Sequence, residues 1–143
     1  MRIKFKTKSA NETKKIAKLL AEDILKGRLK TKKGLVLAFS GNLGSGKTTF
    51  IQGFLRGLGI KNKITSPTFV IMKRYKNAYH IDCYRFRKPA ELVDLGFKKL
   101  VNKPENIFLI EWAERIKKIL PKDTIWLEFK HGDKENEREI TIR

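Results

Sequence analysis

Ile3, Phe5 and Thr7 alternate with lysines, a period of two that predicts a short half-buried strand. Ser9 with Glu12 three residues later is a capping-box pattern. A helix is expected to open there and to end near Gly27, with Ile16, Leu19, Leu20 and Ile24 as its core stripe. Leu35-Val36-Leu37-Ala38-Phe39 is a continuous apolar run bounded by Gly34 and Gly41, which suits a strand buried on both faces of a sheet. From Thr48 to Leu58 the pattern turns helical again. Phe50, Phe54, Leu55 and Leu58 share one face, and Gly59 is placed to stop the helix.

Further along, Tyr79 to Arg85 alternate with a period of two, which sets His80, Asp82 and Tyr84 against Ile81 and Cys83. Asn106 to Ile110 form an apolar strand that ends in Glu111, with a helix expected from Ala113 to Leu120. Asp123 to Lys130 and Glu137 to Arg143 alternate on either side of His131-Gly132-Asp133, the pattern of an antiparallel hairpin. Strands interleaved with helices make this an α/β chain. It is expected as a P-loop NTPase fold: a single-layer mixed sheet with helices on both faces and an antiparallel C-terminal hairpin. With 143 residues and 41% hydrophobic content, one such domain spanning 1–143 is expected, and two are not.

Composition removes several classes of function. No stretch reaches the roughly 18 apolar residues of a membrane span, and the first residues alternate charge with apolar side chains where a signal peptide would carry an apolar run. A cytoplasmic protein with no membrane partner is expected. The single cysteine, Cys83, cannot form an internal disulfide, and no His/Cys cluster has zinc-site spacing. Thirty-three Lys and Arg against fifteen Asp and Glu give a formal charge of +18, which favours polyanions as partners. The lysines are spread along the chain, so the count alone leaves two readings open, a nucleic-acid face and a generally basic solvated surface.

The sharpest chemistry lies at Gly41-Asn42-Leu43-Gly44-Ser45-Gly46-Lys47-Thr48, a Walker A loop between an expected strand and an expected helix. Its glycines let successive backbone N–H groups turn toward phosphate, and the helix N-terminus adds partial positive charge. Gly41, Gly44, Ser45, Gly46, Lys47, Thr48 and Thr49 are the expected nucleotide contacts. Lys47 would reach the β and γ phosphates, and Thr48 would give its hydroxyl to Mg²⁺. Asn102-Lys103-Pro104-Glu105 does not match a guanine reader in sequence or position, so ATP and ADP are the expected nucleotides.

Hydrolysis also needs an acid near the metal and the attacking water. Glu111 is the first choice, since it stands where a Walker B acid does at the carboxyl end of an apolar strand; a helix-capping role is the competing reading. Asp82 is the second, because a carboxylate in an apolar strand is costly unless paired or bound to a cation; an ion pair with Arg85 would also answer that. Trp112, directly after Glu111, is expected close to the bound nucleotide. His80 is read as a hydrogen-bonded strand histidine.

Taken together, the loop Gly41 to Phe50, then Ser66-Pro67-Thr68-Phe69, then Tyr79 to Arg85, then Ile110-Glu111-Trp112 resemble the bacterial TsaE (YjeE) family over nearly the whole chain. That family is the small ATPase subunit of the machinery making N6-threonylcarbamoyladenosine beside the anticodon of ANN-decoding tRNAs. The resemblance implies that Thr48 and Glu111 bind Mg²⁺, that Asp82 is needed for hydrolysis, and that Ser66-Pro67-Thr68 belongs to a switch-like loop. It also implies ATP use coupled to TsaB and TsaD, with tRNA reached through that complex. Asn42 stands where the family usually has an acid, and the strong basicity is not a family hallmark. A small-molecule P-loop kinase and a basic nucleic-acid-binding module are the alternatives.

Overall fold

The computed structural model describes residues 2–27, 32–42, 44–65 and 71–143. The chain is mixed α/β and divides into two compact units interleaved along the sequence. The first unit comprises residues 1–30, 41–65 and 127–143, the second 31–40 and 66–126.

In the first unit, β1 (Ile3–Thr7), β7 (Arg138–Ile142) and β6 (Ile125–His131, from Leu127 on) lie in that order, both pairings antiparallel, with Ile140 opposite Phe5 on one side and Phe129 on the other. The expected C-terminal hairpin is therefore present. Helix α1 (Ala10–Leu25) starts at Ser9, whose Oγ accepts the Glu12 N–H at 3.1 Å, while the Glu12 carboxylate accepts the N–H of Lys8. The core stripe of α1 differs from the expected one. Its buried residues are Thr13, Ala17 and Ala21; Ile16, Leu20 and Ile24 are half-buried and Leu19 is exposed.

The reason is the partner. Helix α2 (Lys47–Gly57) meets α1 at Gly53 and Gly57, and the approach is so close that small residues must line it. A Cβ on Gly53 would stand 2.5 Å from the Lys14 carbonyl oxygen and 2.6 Å from the Lys14 Cα. In a helix interior, Gly to Ala ordinarily gains up to about 1 kcal/mol. Here the sign reverses: Gly53→Ala should cost about 1–3 kcal/mol, read as a lower urea midpoint, because one backbone must be pushed off another. A stability gain in Gly53→Ala would contradict the contact. Helix α2 stops at Gly59 (φ 86°), where the Gly59 N–H donates to the Arg56 carbonyl and the Ile60 N–H to that of Leu55, each at 3.0 Å.

In the second unit the strand order is β2 (Leu35–Ser40), β5 (Ile107–Glu111), β4 (Ala78–Asp82) and β3 (Met72–Tyr75). The first three are parallel and β3 is antiparallel to β4, so this sheet is mixed. Every residue of β4 and β5 is buried, and all of β2 but Ser40. Val36, Ala38, Tyr79, Ile81, Phe108 and Ile110 pack with Phe86, Leu92, Phe97 and Ile116 in one core cluster, which the short helices α3 (Ala90–Val93) and α4 (Phe97–Val101) help to close.

Two sequence expectations need correcting in this unit. The alternation read as far as Arg85 ends as a strand at Asp82, because the Asp82 carboxylate accepts the Tyr84 N–H at 2.9 Å and turns the chain. The segment Ala113–Ile119 is a 3₁₀ helix, broken at Ile116 (φ −125°, ψ 21°). It starts from Trp112 in a left-handed conformation (φ 57°) with no side-chain cap, and buries Ala113 and Ile116. Among the described residues, no helix is long and apolar enough to cross a membrane.

Candidate active site

The glycine loop belongs to the first unit. It follows β2 in the chain at Gly41, a position only glycine can hold: φ is 135°, and a Cβ would stand 2.5 Å from the Phe129 carbonyl oxygen and 3.0 Å from the Ser45 Oγ. Gly46, also left-handed (φ 102°), sits at the N-terminus of α2 with no side-chain cap. Lys47 opens that helix nine-tenths buried or more, its Nζ donating to the Gly41 carbonyl at 2.5 Å across the loop. The Ser45 hydroxyl is buried and has no hydrogen-bond partner among the described residues. A buried cation, an orphan hydroxyl and an uncapped helix N-terminus gathered in one loop are the donor set that a polyphosphate answers.

Arg138 on β7 joins this loop. Its guanidinium donates to the Gly44 carbonyl at 3.1 Å and to the carbonyls of Glu135 and Glu137 at 2.7 and 2.8 Å, and its stem passes within about 4 Å of where a Cβ on Gly46 would lie. The sequence reading missed it. Arg138 lies 94 positions beyond Gly44, and a single arginine in an alternating strand gives no local signal.

Asp82 and Glu111 belong to the second unit. They are register partners at the carboxyl ends of the parallel strands β4 and β5, and Glu111 is also the partner of Phe39 on β2. The face is set by the neighbours: Tyr79, Ile81 and Cys83 point into the core cluster, so His80 and Asp82 share the opposite face with Leu109 and Glu111. Asp82 and Glu111 are 8% and 4% exposed as residues. The His80 Nε2 lies 2.7 Å from the Glu111 Oε2, with both side chains buried. Glu111 is therefore engaged with His80, and the cap position of the following 3₁₀ segment is Trp112, with no side-chain cap bond. Burial, reinforced by the Asp82 and Glu114 carboxylates, holds the Cys83 thiol far above its ordinary range, so it stays protonated and takes no part.

Trp112, in the same unit, stacks at a tilt on Tyr84 (5.1 Å between ring centroids), and the Arg115 guanidinium lies over both rings. Ser66-Pro67-Thr68-Phe69 and Leu43 lie outside the described residues. The glycine-loop residues thus lie in one unit and the two acids in the other. His80 is a hydrogen-bonded strand histidine, as expected, and the strand register adds that its partner is Glu111.

Comparison with known proteins adds independent findings. A family model described as "Threonylcarbamoyl adenosine biosynthesis protein TsaE" matches residues 7–140. The chain is 40% identical to the tRNA threonylcarbamoyladenosine biosynthesis protein TsaE of Bacillus subtilis, over 98% of this chain and 84% of that protein. It is 37% identical to the protein of that name from Haemophilus influenzae, over 83% of this chain and 76% of the relative. The crystal structure of Bacillus subtilis YdiB is similar over 99% of this chain and 84% of its own length, with a TM-score of 0.78 and 36% identity.

Proposed function

The chain belongs to the TsaE family, and from that premise we propose that it is a magnesium-dependent ATPase with a P-loop NTPase fold. Its work would support formation of N6-threonylcarbamoyladenosine next to the anticodon of ANN-reading tRNAs. The observation that carries the ATPase reading is the loop itself: Gly41 and Gly46 in conformations side chains rarely adopt, with Lys47 buried between them.

In this reading Lys47 and the backbone from Gly44 to Thr49 hold the β and γ phosphates. The Thr48 hydroxyl and the Glu111 carboxylate would hold magnesium, and Asp82 would orient the attacking water. Hydroxyl and carboxylate oxygens suit a hard cation such as magnesium. Magnesium, when bound, would supply positive charge against the negative charge that develops on the phosphate oxygens. Partners of the TsaB and TsaD type, with tRNA bound through their complex in the cytoplasm, complete the proposal.

The decisive assay combines the chain with TsaB- and TsaD-type subunits and an ANN-decoding tRNA, following phosphate release and the modified nucleoside by mass. Phosphate release should rise on adding the subunits, and modification should require this chain. Modification of equal extent without it would overturn the proposal. A second measurement reads the nucleotide directly. In a Trp126→Phe background, Trp112 emission should change as ADP saturates, because Trp112 follows the metal acid. Flat emission, with calorimetry showing saturation, would separate Trp112 from the nucleotide.

A further inference from the structure

Glu111 needs more than burial to serve a metal. A carboxylate at the end of a strand can rotate about its side-chain torsions, and a ligand that must be reordered at each binding event loses affinity. The His80 imidazole removes that freedom. Its Nε2 lies 2.7 Å from Oε2, and His80 itself is 0% exposed, on a strand whose five residues are all buried. The ring is held from the backbone up, because His80 is the register partner of Leu109, two residues before Glu111 on the neighbouring strand. Imidazole and carboxylate therefore meet along the diagonal of one sheet face.

The proton can also be assigned. The His80 Nδ1 is buried and has no hydrogen-bond partner among the described residues. An N–H there would bear the full desolvation cost of an unmet donor, whereas a bare ring nitrogen loses less. The ring N–H belongs on Nε2, directed at the carboxylate.

We infer that His80 is a positioning residue for Glu111: its Nε2–H anchors Oε2 and fixes the plane in which the carboxylate is presented to magnesium. This rests on the reading of Glu111 as the metal acid. Three substitutions separate the hydrogen bond from packing. The side-chain nitrogen of Gln reaches the place of Nε2, that of Asn reaches only the place of Nδ1, and Leu supplies bulk with no donor.

The experiment titrates Mn²⁺ into the full chain saturated with ADP, reading free Mn²⁺ by electron paramagnetic resonance. ADP affinity without metal and the thermal midpoint are measured alongside. His80→Leu and His80→Asn should weaken Mn²⁺ binding about tenfold or more, the usual scale for a lost partner of a metal ligand, with metal-free ADP affinity unchanged. His80→Gln should bind Mn²⁺ close to the wild-type value. If His80→Leu fails to fold, the Gln and Asn pair still decides. Equal weakening in all three, or in none, would overturn the inference while leaving Glu111 in its role. Glu111→Gln is the control for the parent reading: if it binds Mn²⁺ as the wild type does, the metal role of Glu111 fails, and with it the reason for His80.

Discussion

Lys47→Ala should weaken ATP and ADP binding by about a hundredfold, the equivalent of one charge-assisted hydrogen bond to phosphate at about 3 kcal/mol. The side chain is poised for that loss to be specific. It lies almost wholly buried at the first residue of α2, and its Nζ is held by the Gly41 carbonyl at the other end of the loop. Truncation therefore removes a preordered cation, with no ordering cost left for the nucleotide to recover. The folded state should change little, because the lost hydrogen bond is offset by relief from holding a charge out of water. Calorimetry on a variant with an unchanged thermal midpoint is the measurement. Micromolar affinity retained in Lys47→Ala would remove the phosphate-loop assignment.

Glu111→Gln and Asp82→Asn should each keep ADP binding and lose hydrolysis by about a hundredfold or more, roughly 2.7 kcal/mol of transition-state stabilisation. Both substitutions keep the geometry now present. A Gln side-chain oxygen at position 111 still accepts from His80, and an Asn oxygen at position 82 still accepts the Tyr84 N–H. The main change is the lost charge, with one acceptor oxygen of each carboxylate becoming an amide donor, so a fall in kcat with nucleotide affinity and thermal midpoint held would report on chemistry, not folding. Rates are best taken with the TsaB- and TsaD-type subunits present. Wild-type turnover in either variant would take that residue out of the site.

Local patterns carried much of this chain's architecture. The buried run 35–39, the cap at Ser9, the stop at Gly59 and the hairpin at the C-terminal end are each written within a few residues, and each is found. The misses have separate causes. The face of α1 was read from its largest apolar residues, but Gly53 and Gly57 of another helix decide which of them fit. The 3₁₀ segment Ala113–Ile119 is entered from a left-handed Trp112 and broken at Ile116, backbone features that periodicity does not register. In the site, residue types and strand ends pointed to Lys47, Asp82 and Glu111. The partners His80 and Arg138 emerged only once strand register and loop path were known.

The meeting of Gly53 with Lys14 also limits how this chain can diversify. The atoms that a side chain at position 53 would strike are a carbonyl oxygen, a Cα and a carbonyl carbon, which every amino acid contributes. No exchange at position 14 can therefore make room, and the usual route of compensation, a trimmed neighbour opposite an enlarged one, is closed. Intragenic suppressors of a bulky residue at 53 would have to act globally, by raising stability elsewhere. Position 57 differs in part, since the Ala21 methyl is among the atoms in its way and Ala21→Gly would relieve that contact, though not the one with the Lys18 carbonyl. Sequence drift along this helix pair should thus be uneven, frozen at 53 and slightly freer one turn later.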